Sequence, residues 1–206
     1  MPFLPAELVG KRVILAFMVY AGALDAGERA LAPFRALAEP IADMLRPMPY
    51  PEIYPPEDPN YHPIAASRNL FVDTVDRSVA QTIVEHLEAS QAKFQVAQIR
   101  VLGGAISRVP SGATAYAHRA RRIMVNVAAL FDHAEEAAHN QAWAEDFRTV
   151  LQNGRPGAYV NFMTVDWPSR IRDAYPGRTL ERLSEIKSRY DPTNVFRHNQ
   201  NIAPSS

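Results

Sequence analysis

The segment from Pro47 to Pro63 constrains the chain most, because seven of its residues are proline. Each proline fixes φ and removes a backbone donor, so neither a helix nor a sheet ladder can run through the segment. It must be an extended loop. It also carries Tyr50, Tyr54 and Tyr61. A long irregular connection within a domain is functional or disordered, and the aromatic content here favours packing against something.

Regular elements are expected on either side. Lys11 to Tyr20 is a run of Val, Ile, Leu and Phe ending at Ala21-Gly22, the pattern of a strand buried on both faces. A helix follows over Asp25 to Ala38, with Asp25 as N-cap, Glu28 three residues on, and Leu31, Phe34 and Leu37 at helical spacing. Beyond the loop, Asn69 to Val75 reads as a strand, Ser78 to Ser90 as a helix and Phe94 to Leu102 as a strand ended by Gly103-Gly104. After a turn at Pro110 to Gly112, strands are expected at Ala113 to His118, Arg122 to Phe131 and Ala158 to Thr164, with helices at Glu135 to Leu151 and Thr179 to Arg189. Helices alternating with close strand pairs predict an α+β fold, a largely antiparallel sheet with helices packed on one face, in a single domain over 1–206.

With 206 residues the chain can bury a substantial core. Its 22 basic and 22 acidic residues cancel, which argues against nucleic acid or an anionic membrane as partner. Without cysteine there is no disulfide, thiolate nucleophile or thiolate metal site, and cytoplasmic is the default location. The longest apolar run, Val13 to Leu24, is too short to span a bilayer. No G-x-G-x-x-G, P-loop or H-E-x-x-H is present, and the six histidines lack the clustering of metal ligands.

Three segments carry chemistry: Leu102 to Arg119, Gly157-Ala-Tyr-Val-Asn-Phe162, and Arg182 to Pro204 with its Lys-x-x-Tyr-Asp-Pro-x-Asn-x-Phe and Asn-Gln-Asn-Ile-x-Pro. In the last, Tyr190 to Asn194 reads as a helix stop and Asx-type turn, with Phe196 plugging the core. The run Asn199, Gln200, Asn201 offers donors and acceptors that suit the edge of a flavin ring or a domain interface. Tyr159 and Asn161 would share a strand face, as would Gln98 and Arg100, with Asn126 on a neighbouring strand. His118 is either a general base, by its titration near neutrality, or a sheet-edge histidine bonded to backbone.

Together these segments resemble the C-terminal half of berberine-bridge-type FAD-linked oxidases, over essentially the whole chain, with a berberine-like segment at about 157–204. The resemblance implies a substrate domain whose sheet roofs the flavin ring, while an FAD-binding domain, upstream in cis or supplied in trans, holds most of the FAD. It places substrate-binding groups at Gln98, Arg100, Asn126 and Tyr159 and cofactor contacts at Asn161, Asn199 and Gln200, while His118 is the candidate base by its titration range alone. Two departures stand out. Where many relatives carry a tyrosine base after the Asn, this chain has Phe162, and where relatives place an acidic base it has Arg100, which cannot take a proton.

The expected activity is oxidation of a small organic substrate by hydride transfer to FAD. The alternative is a non-catalytic ligand-binding or interaction module left by truncation or splitting of such an oxidase. A face meeting an FAD domain would be apolar and aromatic, so self-association is expected when that domain is absent.

Overall fold

Strand β3 (Ile123–Phe131) is the centre of the sheet, and it is buried along nearly its whole length. A computed structural model describes residues 8, 10–54, 59–152, 154–164 and 167–205. In it β3 runs antiparallel between β1 (Ile64–Val72) and β2 (Phe94–Val101), in the order β1-β3-β2. The expected α+β class with an antiparallel sheet is what the chain adopts. The chain divides into two units, residues 1–59 and 60–206.

In the larger unit the register sorts side chains by face. Leu70 pairs with Val125 and Ile99, while Asn69 pairs with Asn126 and Gln98, so alternation sends the two rows to opposite sides. The apolar row packs under α2 (Arg77–Ala89) and α4 (Ala137–Leu151). Leu70, Val72, Val125 and Val127 meet Ile83 from α2 and Ala144, Phe147 and Leu151 from α4. Burying each large side chain of this cluster contributes about 1.5–3 kcal/mol. Helix α2 starts where Asp76 accepts the amide of Val79 at 2.9 Å, an N-cap. Trp143 of α4 reaches across to donate to the carbonyl of His86, locking the two helices together.

Further on, α3 (Ala105–Arg108) follows Gly103 and Gly104, whose φ of 145° and 53° suit glycine and end β2 as expected. Helices α5 (Trp167–Ala174) and α6 (Arg178–Tyr190) close the chain. At the end of α6, Asp191 accepts the amides of Val195 at 2.7 Å and Phe196 at 3.0 Å, the expected Asx-type turn. Lys187 beside it holds the Asp191 carboxyl below its ordinary pKa.

Several sequence expectations need correction. Strand β1 begins at Ile64, five residues before the expected Asn69, because alanines and Arg68 masked its pattern. Helix α5 was not foreseen, its short polar sequence giving little periodicity. Ala113 to His118 forms no strand, and Ala158 to Thr164 is irregular with a 3-10 turn at Val160–Phe162. Ala158 donates instead to the Asp173 carbonyl and Tyr159 to Asn69 Oδ1, while Thr114 accepts from Arg119. Phe196 is exposed instead of plugging the core. The expected helix stop at Asn153-Gly154 falls partly outside the described residues.

In the smaller unit, α1 (Leu24–Arg35) is capped at Ala23, not Asp25; Asp25 lies within the first turn and pairs with Arg29 at 3.0 Å. Lys11 to Tyr20 forms no strand among the described residues, and Ile14, Phe17 and Val19 are exposed. Strand preference is largely a packing effect and needs a partner ladder, which sequence pattern alone does not supply. Gly27 is buried because the Tyr20 ring lies against it, where an added Cβ would sit 3.1 Å from the ring. In the proline-rich loop Tyr50 and Tyr54 pack edge to face at 5.9 Å with hydroxyls 3.1 Å apart, and among its described residues the expected irregularity is interrupted by a 3-10 turn at Tyr50–Ile53. No helix among the described residues is long and apolar enough to cross a membrane.

Candidate functional site

The sheet face turned away from α2 and α4 carries a row of polar residues. Asn69, Asn126 and Gln98 stand side by side across all three strands, and Arg100 lies two residues beyond Gln98 on the same face. Arg100 donates Nη2 to Gln98 Oε1 at 3.0 Å.

The turn Tyr159 to Phe162 reaches over this row. At one end the Tyr159 amide donates to Asn69 Oδ1 at 2.5 Å; at the other the Arg100 guanidinium lies 4.6 Å from the centroid of the Phe162 ring. Asn161 Nδ2 donates to the Tyr159 hydroxyl at 2.8 Å. Asn69 and Asn126 are thereby buried, and the Nδ2 of Asn69 and Oδ1 of Asn126 have no hydrogen-bond partner among the described residues. A buried amide atom left unpaired costs about 1–3 kcal/mol. One donor and one acceptor are orphaned on neighbouring strands of the same face.

A buried arginine fixes the turn. Arg170 of α5 donates to the carbonyls of Asn69 at 3.1 Å and Gly157 at 3.3 Å, and its Nε pairs with Asp173 at 2.9 Å. Gly157 is required here, since a Cβ would lie 2.9 Å from the Phe71 ring. His118 fills the space behind it. Its ring packs 4.7 Å from Phe71, and its Nε2 donates to the Asp173 carbonyl at 2.7 Å, because a carbonyl only accepts. Burial pushes the His118 pKa below 6.5, against the weaker upward pull of that hydrogen bond, so the imidazole is neutral at neutral pH.

Beside the turn, Tyr116, Tyr159, Tyr175, Asn161 and small residues line a cleft of about 180 Å³. Tyr116 meets Tyr159 edge to face at 5.5 Å. Burial raises the pKa of the Tyr116 and Tyr175 phenols, which stay protonated as donors. The C-terminal amide run comes to the same turn: Gln200 donates Nε2 to the Met163 carbonyl at 2.9 Å, and Asn199 is exposed with a φ of 58°.

Gln98, Arg100, Asn126, Tyr159 and Asn161 thus gather on one side of the sheet, with Gln200 tied to the adjoining Met163. His118 stands apart from the row, beneath Gly157. Sequence reasoning missed Asn69, Tyr116, Tyr175 and Arg170. An asparagine inside an apolar strand was the available signal for Asn69, hidden by starting the strand there; Arg170 sits on the unforeseen α5.

Comparison with known proteins points the same way. Residues 158–203 match the model of the family described as berberine and berberine like. The FAD-linked oxidoreductase YgaK of Bacillus subtilis is 28% identical over 86% of this chain, and aclacinomycin-N/aclacinomycin-A oxidase of Streptomyces galilaeus is 31% identical over 61%. Residues 158–203 thus resemble the berberine-like domain, and the chain is similar over most of its length to FAD-linked oxidoreductases. It spans 40% and 26% of the length of those two relatives. Among solved structures, a glycopeptide hexose oxidase complexed with teicoplanin superposes with a TM-score of 0.69 at 20% identity, covering 89% of this chain and 42% of its own, which shows a shared fold. The residues matched by the family model include the whole turn over the polar row.

Proposed function

We propose that this chain supplies the substrate side of an FAD-dependent oxidoreductase, in which a small organic substrate is oxidised by hydride transfer to the flavin. The observation that carries the reading is the row Asn69, Asn126, Gln98 and Arg100 under the Tyr159 to Phe162 turn. A fold selected for stability alone would place apolar residues there, as it does at Leu70, Val125 and Val127 on the opposite face. The orphaned Asn69 Nδ2 and Asn126 Oδ1, one donor and one acceptor, fit a site built for polar ligand atoms.

The same chemistry fits a flavin. Asn161, Asn199 and Gln200 would hold the polar edge of its ring, since side-chain amides match both its donor and acceptor atoms. FAD would supply the hydride acceptor, and this chain the pocket shape and orientation. Its phosphates would be held by an FAD-binding domain, in cis or in trans, because this chain has no phosphate-binding loop motif. His118 would serve this design from behind, keeping Gly157 and the turn in place, and as a neutral imidazole it is also the group able to accept a proton.

The test is spectroscopic. The chain alone should elute colourless from gel filtration with added FAD; with an FAD-binding domain supplied it should be yellow and bleach when an oxidisable substrate is added without oxygen. Stoichiometric flavin on the chain alone would contradict the division of labour. A yellow complex inert to every substrate would favour the non-catalytic alternative.

A further inference from the structure

Arg100 is a cation placed for a ligand. Its guanidinium lies on the Phe162 ring and bonds to Gln98, two contacts that fix its direction while occupying one of its five N–H donors. No carboxylate among the described residues pairs with it. By contrast Arg68, Arg148, Arg155 and Arg170 each meet an Asp or Glu. Arg100 therefore presents a held, unneutralised fork of donors beside a row of amides.

The amides define the rest of the ligand. Gln98 spends its Oε1 on Arg100 and keeps its amino group. Across the ladder Asn126 Oδ1 is buried without a partner, and Asn161 is exposed on the turn above. Amide donors and acceptors in such proximity suit hydroxyl groups, which both give and accept hydrogen bonds. A planar guanidinium suits a carboxylate, which it can bind through two parallel N–H bonds.

We propose that the substrate is a polyhydroxylated carboxylic acid of the sugar-acid type, its carboxylate on Arg100 and its hydroxyls on Gln98 and the neighbouring amides. Resting on the substrate-side reading above, this names the class of molecule that the site selects. Arg100 is the specificity-determining residue, and the negative charge of the ligand is what it reads.

Binding rather than turnover tests this, with D-glucuronate and D-glucose as probes that differ only in the carboxylate. Titrated into the chain by calorimetry, with two-dimensional NMR to locate the site, glucuronate should bind at least about tenfold more tightly than glucose. Its shifts should centre on Gln98 and Arg100. Arg100→Gln should erase the preference without altering the circular dichroism spectrum, and Arg100→Lys should restore only part of it, since a lysine cannot make the paired contact. Equal affinity for the two sugars, a preference that survives in Arg100→Gln, or no glucuronate binding at all would overturn the proposal. Its failure is distinct from failure of the oxidase reading: an FAD-loaded complex bleached by neutral sugars alone would keep the oxidase and discard the acidic substrate. Glucuronate binding without bleaching would do the reverse.

Discussion

The two faces of the sheet obey different rules. Under α2 and α4, Leu70, Val125, Val127 and Phe147 are all but sealed from solvent and carry no polar side-chain atom. Under the Tyr159 to Phe162 turn, Asn69 and Asn126 are buried as deeply, yet each leaves an amide atom unbonded. The first face is optimised for stability. The second gives stability up, and such a concession is typical of a surface kept for ligands.

The comparison breaks most visibly at its apolar side. Phe147→Ala removes a fully buried ring that packs on Trp143 and His86, and should cost about 3–5 kcal/mol in urea unfolding. A smaller loss is expected for Asn69→Ala, about 1–3 kcal/mol, because the Tyr159 amide would be left without its acceptor. Asn126→Leu should behave oppositely. Its Oδ1 has no partner to lose, so unfolding free energy should hold within about 1 kcal/mol or rise. A loss from Asn126→Leu equal to that from Phe147→Ala would mean that both faces are built alike.

His118 sharpens the contrast through pH. Its folded pKa lies below the unfolded value through burial, so the unfolded chain binds the proton more readily. The stability it contributes is full above the unfolded pKa, near 6.5, and is lost as pH falls from there toward the folded value. Thermal melts at pH 7.5 and 5.5, taken as about one unit either side of that value, should show a fall in Tm that is smaller in His118→Gln. An equal fall in both proteins would place the titrating group elsewhere.

How much of this was legible in the sequence depended on whether neighbours or periodicity set the structure. Helices α2 and α6 and strands β2 and β3 were found within a few residues, since their apolar spacing matches the element they form. Lys11 to Tyr20 has the same kind of composition and forms no strand, because a strand also requires an edge to pair with. The site was legible as residue types and, on β2 and β3, as a face: Gln98, Arg100 and Asn126 fall together through period-two alternation. Tyr159 and Asn161 were assigned to a strand and arrive instead on a turn, held by Arg170 and Asn69, two residues about a hundred positions apart whose contact no local pattern encodes.

The central claim is that the polar face, and not the helix-covered one, meets the flavin and its substrate. Riboflavin titrated into the isotopically labelled chain tests it most directly, since NMR detects weak binding. The account predicts shifts at Gln98, Arg100, Asn161, Asn199 and Gln200, with Leu70, Val127 and Phe147 unmoved. Shifts concentrated on the helix-covered face, or binding that leaves the polar row untouched, would contradict it.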